Sequence, residues 1–417
     1  MEQDRNPGGW PESEQGLLSD PSESRTQKIP VIPQEAYGPI EQQMPAPQAV
    51  EDEPGPTVVK APKRKGRTGW NVVWSMSKYV WRMALGLVLA VGILIVGLLG
   101  YLTVTEYHPA YAETADRGSV NRSESISTRS FSLLTFNTAH AVPGEDTEDA
   151  EEAEDNVGGI LRILEMSGAD FLMLQEVDTD SRRSFGTNQW LKYEHELEDY
   201  ESRFVMNHSC DYVPHPLRDP VGKIRSGLAT YSSYDIVSAT RYSLPVPSEW
   251  PERVVSRKGC FLVTRIPIED SEQQLVLINV HMEDYEDEEL SEEQIVQLRS
   301  FMKEEYAKGN FVIAGGDFNQ TFPNSDAYPV QDPELWTPKK LSRPTGGFRY
   351  FCDDSTPTCR LPSRPNESDG EEAQYYVIDG FLVSPNVTVD EVKTLSYGFL
   401  YSDHNPVRLE FTLNFEE

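Results

Sequence analysis

Gly315-Gly316-Asp317-Phe318-Asn319 and Ser402-Asp403-His404-Asn405-Pro406-Val407 decide the reading of this chain. The first follows the apolar run Phe311 to Ala314, and the second leads into the apolar run Val407 to Leu413. Each therefore sets a carboxylate beside an amide or an imidazole at an expected strand end. Asp317 and Asn319 stand two apart, so on extended backbone they face the same way. Gly315 and Gly316 permit close backbone approach. An imidazole titrates near neutrality and suits proton transfer, while a neighbouring carboxylate can hold a cation. Alone, Asp-Phe-Asn is compatible with an ordinary turn, and Ser-Asp-His-Asn-Pro with a strand-entry turn.

The same pattern recurs along the chain. Asn137 closes the run Phe131 to Phe136, and Gln175 and Glu176 close Phe171 to Leu174. His281 closes Leu275 to Val280. Asp379 lies inside the apolar run Tyr375 to Val383, where a charge needs a partner and a histidine is a natural one. Helical spacing is present from Asp155 to Ser167, and again from Glu288 to Lys308 with Ile295, Leu298, Phe301 and Met302 on one stripe. Strands alternate with helices from residue 130 onward, so one α+β domain over 130–417 is expected.

Upstream the composition changes. Residues 1–69 are rich in Pro, Gln, Glu and Ser and poor in large apolar residues, which predicts a disordered tail. Met83 to Val104 then carries no charge over 22 residues, long enough to span a roughly 30 Å hydrocarbon layer as one transmembrane helix. Trp70, Trp74, Tyr79 and Trp81 precede it, and Tyr101 and Tyr107 flank the far end, as interface aromatics do. Lys60, Lys63, Arg64, Lys65, Arg67, Lys78 and Arg82 crowd the N-terminal side. That asymmetry predicts a single-pass protein with a cytoplasmic N-terminus and an extracellular or lumenal C-terminal domain. Residues 105–129 read as a polar stalk.

The formal net charge is −31. The first 82 residues contribute −1 of it (10 Lys and Arg against 11 Asp and Glu), leaving −30 from Met83 onward. Such a field argues against sequence-blind binding to duplex DNA, which depends on basic residues neutralising phosphates. Two acidic runs, Glu145 to Asp155 and Glu283 to Glu293, read as solvated helix-leading faces, with a negative rim or a structural Ca²⁺ site as open alternatives. Rare positive charge lies between Arg218 and Arg225 and at Arg257 and Lys258; some of these are expected to contact substrate phosphate, Arg225 first, while Arg257 and Lys258 read more simply as the start of a strand. Cys210, Cys260, Cys352 and Cys359 lack zinc-site spacing, and Cys352 with Cys359 is the preferred disulfide pair. No phosphate-binding P-loop, Gly-x-Ser-x-Gly elbow or His-Glu-x-x-His motif is present.

Taken in order, Thr135-Phe136-Asn137, Leu174 to Val177 (LQEV), Ser226 to Ser232 (SGLATYS), Asn279 to Met282 (NVHM), GGDFN, Val377 to Ser384 (VIDGFLVS) and SDHNPV resemble the endonuclease/exonuclease/phosphatase superfamily over residues 130–415. The resemblance implies a four-layer α/β/β/α sandwich like that of deoxyribonuclease I, with the site at one end. It implies metal-dependent hydrolysis of a phosphoester, most simply a phosphodiester. Mg²⁺ would sit on Glu176 with Asn137 beside it and Asp403 as an auxiliary acid; Mn²⁺ is an alternative ion. Asp317 and Asn319 would orient water and phosphate. His404 would act as base or phosphate-polarising group, held by Asp379, with His281 as the second histidine. The family's further acid two residues after Asn137 is replaced here by Ala139, which puts a second ligand from that strand in doubt. The expected substrate is a small phosphodiester, a lipid headgroup or a nucleic acid, and nothing in the sequence calls for an obligate protein partner. The competing reading is a binding or scaffold module with the same fold and no turnover; none of the eight core positions is missing.

Overall fold

The computed structural model describes residues 69–415, apart from 143–148, 248, 284–287, 324, 326, 331–335 and 362–372. The expected tail therefore lies outside the described residues. The chain begins with α1 (Gly69–Val104), β1 (Ala112–Thr114), β2 (Asp116–Arg117), β3 (Ser130–Asn137), α2 (Ala150–Ser167) and β4 (Phe171–Asp178). It continues through α3 (Gln189–Glu196), β5 (Glu201–Val213), β6 (Gly222–Ser232), β7 (Ser238–Ser243), β8 (Cys260–Pro267) and β9 (Gln274–His281). Then come α4 (Glu288–Ala307), β10 (Phe311–Asp317), β11 (Arg349–Phe351), β12 (Cys359–Leu361), β13 (Gln374–Tyr376), β14 (Asp379–Val383), β15 (Val387–Thr394) and β16 (Val407–Leu413).

Two seven-stranded sheets result, ordered β1-β7-β8-β9-β10-β14-β11 and β15-β16-β3-β4-β6-β5-β2, with β12 and β13 as a separate pair. Period-2 alternation explains their stacking. Phe131 and Leu133 of β3 face Leu275 and Leu277 of β9 and Phe311 and Ile313 of β10 in the inter-sheet core. The alternate residues point outward. Leu134 and Phe136 pack under Val157, Ile160 and Leu164 of α2. On the other side, Val276 and Ile278 pack under Ile295, Leu298 and Met302 of α4. Each such side chain contributes about 1.5–3 kcal/mol when buried. The layers are thus helix, sheet, sheet, helix, an α+β sandwich as the motifs implied.

Register brings the polar strand ends level. β9 and β10 run parallel, with His281 opposite Asp317, and β14 runs antiparallel on the other side, with Asp379 opposite Asp317. In the second sheet Asn137 of β3 lies opposite Gln175 of β4. Gly316 is required at its position, because a Cβ there would lie 1.9 Å from the Val280 carbonyl oxygen.

The segment 105–129 departs from expectation. Instead of a free stalk it supplies one edge strand to each large sheet: β1 pairs with β7 and β2 with β5. Ile126 bridges to Ile268 and is buried. Strands of two or three residues leave no alternation for a sequence pattern to reveal. Within α1, Ser77–Val104 is long and apolar enough to cross a membrane, with a mean hydropathy of 2.7.

Candidate active site

The strand ends converge on a cavity of about 350 Å³ lined by Asn137, Glu176, His281, Asp317, Asn319, Asp403 and His404, among others. Asp317 is its centre. Its Oδ2 accepts from Asn137 Nδ2 at 3.0 Å, and its Oδ1 accepts from the backbone N–H of Asn319 at 2.8 Å. The second bond bends the chain, and Asn319 takes a left-handed conformation with φ 50°. Its side chain then donates to the Met282 carbonyl at 2.8 Å. Burial and the neighbouring Asp379 raise the Asp317 carboxyl to about 7.

His404 stands on the other side. Its Nδ1 lies 2.8 Å from Asp379 Oδ2, and its Nε2 is 3.8 Å from Asp317 Oδ2 and 4.0 Å from Asp403 Oδ1. Burial disfavours its charge, but Asp379 and other anionic neighbours outweigh that and raise its pKa well above the usual imidazole value. Ser402 fixes the turn: its hydroxyl donates to the Asn137 carbonyl at 2.8 Å and accepts from the His404 backbone N–H at 3.0 Å. Ligand atoms of Asp317, Asp379 and His404 lie within 4.8 Å of one another. Asp379 is buried behind His404, and its Oδ1 has no hydrogen-bond partner.

Glu176 enters through an irregularity. The β4–β6 register shifts between Leu174 and Val177, and Glu176 takes φ 58°. Such strain persists where the surroundings over-determine it. Two cations hold its carboxylate: His140 Nε2 at 2.6 Å and Arg257 Nη2 at 3.2 Å. Burial opposes ionisation, yet His140 and Arg257 keep this carboxyl well below the ordinary range. Arg257 also meets Glu283 at 3.1 Å and donates to His281 Nε2 at 3.0 Å. Burial, then Arg257, lowers His281 to about 3, so its imidazole is neutral.

The sequence does not mark His140 as a site residue and puts Arg257 second to Arg225. His140 sits in a turn where Ala139, His140 and Ala141 all have positive φ (44°, 60° and 57°), and its Nδ1 reaches Asp178 Oδ1 at 3.4 Å. The available signal was a histidine three residues past Asn137, where the expected second acid is absent. Arg257 precedes β8, where the sequence reads as a strand start with a phosphate contact as the alternative.

Two expectations are corrected. Arg225 does not line the cavity; its guanidinium is spent on Asp211 at 2.5 Å. Nor are Cys352 and Cys359 joined, since all four cysteines are free thiols. Cys352 follows β11 and its thiol faces Asp354 at 3.6 Å, whereas Cys359 opens β12 and bridges to His404. The two belong to different sheets, which separates their directions.

A family model described as Endonuclease/Exonuclease/phosphatase family matches residues 134–404. Among solved structures, an endonuclease/exonuclease/phosphatase from Beutenbergia cavernae is 16% identical, covering 69% of this chain and 72% of its own with a TM-score of 0.50. A family protein from Leptotrichia buccalis is 16% identical over 68% of this chain and 100% of its own, with a TM-score of 0.45. D. rerio TDP2 complexed with single strand DNA product is 17% identical over 68% and 99%, with a TM-score of 0.42. No curated protein matches the chain by sequence. At 16% identity the Beutenbergia cavernae structure speaks to the fold alone.

Proposed function

The chain belongs to the endonuclease/exonuclease/phosphatase family, and we propose from its site geometry that it hydrolyses a phosphodiester with a divalent cation and one water. The observation that carries this reading is the convergence of Asn137, Glu176, His281, Asp317, Asn319 and His404 on one cavity. Its donors suit Mg²⁺, which prefers one or two carboxylates and keeps several waters. Glu176 would hold the ion with Asn137 beside it, and Asp403 on the opposite wall supplies a further oxygen. A bound Mg²⁺ supplies charge neutralisation at the phosphoryl and leaving oxygens.

The remaining work falls to the protein. Asp317 takes the proton of a water; its raised pKa makes it a competent acceptor near neutrality. Asn137 and the Asn319 backbone N–H orient its two oxygens. His404, held by Asp379, presents Nε2 as a charged donor to a phosphoryl oxygen. Asn319 and Arg257 bind the other phosphoryl oxygens. His281 is neutral and donates toward the leaving side.

The apolar span supports a membrane tether for this domain, and the basic residues before it support an extracytoplasmic site. The full-length chain in detergent should hydrolyse bis-p-nitrophenyl phosphate with Mg²⁺ or Mn²⁺ and lose that activity in EDTA. Undiminished turnover in EDTA would overturn the metal-dependent reading.

A further inference from the structure

The end of α1 and strand β5 run side by side. Tyr107 Oη donates to the Met206 carbonyl at 3.4 Å, and Tyr101 Oη donates to Asp211 Oδ2 at 2.7 Å. Further along, Leu98 and Leu102 pack with Cys210, Val213, Val254 and Val255. β5 therefore descends along the helix as its residue number rises. The turn that follows, residues 214–221, lies beyond the level of Val213 and hence at the level of Leu98. Leu98 is six residues inside the helix end, about 9 Å along its axis. The uncharged stretch that starts after Arg82 reaches this level after about 24 Å, so the turn meets the outer part of a roughly 30 Å hydrocarbon layer.

The rim formed there is apolar and uncovered. Leu217 is 89% exposed and Trp250 54% exposed, and Tyr212 is exposed beside them. Trp250 is tied to the helix itself, its Nε1 donating to Thr103 Oγ1 at 3.0 Å. Aromatic side chains with one polar end favour the membrane interface. Exposed Arg218 adjoins Leu217 and can reach headgroup phosphates.

The active site is connected to the end of this helix. Glu106, two residues past α1, is buried and accepts from Lys258 Nζ at 2.9 Å. Arg257, the adjacent residue, lines the cavity and binds Glu176. Arg257 and Lys258 are consecutive, so the helix contact and the site are anchored on neighbouring residues of one loop.

We propose that the 214–221 turn and the Trp250 loop seat the domain on the bilayer, and that its substrate is the phosphodiester of a lipid headgroup in the leaflet beneath. The substrate half rests on the hydrolase reading above. Water adds its oxygen to phosphorus, giving a proton to Asp317. The phosphorus–alkoxide bond breaks, and the departing alkoxide takes a proton from solvent as Asp317 returns its own to solvent, leaving a phosphomonoester and an alcohol. The strong negative charge of the domain disfavours a long soluble polyanion and leaves a single headgroup phosphate acceptable.

The test uses the full-length chain in nanodiscs of phosphatidylcholine and sphingomyelin. Lipids brominated near the headgroup end of the acyl chain should quench tryptophan emission in the native chain, and Trp250→Phe should remove part of that quenching. The double variant Leu217→Asp with Trp250→Asp should hydrolyse disc lipid at least tenfold more slowly, with its rate on soluble bis-p-nitrophenyl phosphate unchanged. Equal quenching in the native chain and Trp250→Phe overturns the seat. Turnover of the soluble ester without any lipid hydrolysis overturns the substrate assignment. If neither ester is hydrolysed, the hydrolase reading falls with the substrate assignment, and the quenching still decides the seat.

Discussion

Asn137 Nδ2 donates to Asp317 Oδ2 at 3.0 Å, a bond between residues 180 positions apart that joins β3 of one sheet to β10 of the other. Both partners are buried, so the bond positions the Asp317 carboxylate, the proposed proton acceptor, and also satisfies it. Asn137→Ala should lower stability by about 1–3 kcal/mol, the cost of leaving a buried acceptor unmet. It should lower kcat as well. Thermal unfolding and phosphodiester turnover on the same preparation check both; an unchanged kcat would remove Asn137 from the site.

His404 and Asp379 should behave as one unit. His404→Ala is expected to cost about 10²–10⁴ in kcat. Asp379→Asn should cost less, because the imidazole remains but loses its anionic partner. The double variant should be no worse than His404→Ala, since the losses of coupled residues do not add. Multiplicative losses would show that the two act separately.

The two arginines should separate cleanly. Arg257→Ala removes a cavity cation and should raise KM severalfold, because it frees a phosphoryl oxygen and lets Glu176 and Glu283 repel substrate. Arg225→Ala breaks only the Asp211 pair and should leave KM and kcat alone. A steady-state comparison at fixed Mg²⁺ distinguishes them.

His208 makes folding sensitive to acid. Its Nε2 donates to the Val255 carbonyl at 2.9 Å, its Nδ1 is buried without a partner, and burial lowers its pKa to about 3. The unfolded imidazole titrates near 6.5. The unfolded chain therefore binds more protons between about 6.5 and about 3, and this contribution to stability is lost as pH falls through that window. His208→Gln should flatten the fall in urea midpoint between pH 7 and pH 5. A parallel fall in both proteins would assign the acid sensitivity elsewhere.

All four cysteines should titrate with a thiol reagent in denaturant without added reductant. Recovery of only two thiols would indicate a disulfide and restore the pairing of Cys352 with Cys359.

The sequence revealed the parts of the site that its strands carry. Asn137, His281 and Asp317 end apolar runs that are buried on both faces, and Asp379 begins another, so their placement at strand ends follows from the length of each run. His140 follows no period: its position comes from three consecutive left-handed residues that only the surrounding structure enforces. Arg257 reaches Glu176 from a loop 81 positions away, a distance that local pattern does not encode. β1 and β2 are legible only through their partners, because two or three half-exposed residues have no pattern of their own.

β16 lies between β15 and β3, and His404 stands just before it. The strand that completes one sheet thus also delivers the imidazole, and both follow every other site residue in the order of synthesis. Glu176 and Asp317 are therefore made well before the last of their partners exists. The cavity can assemble only once nearly the whole chain has left the ribosome, so a truncated chain holds most of the site's side chains without ever forming the site.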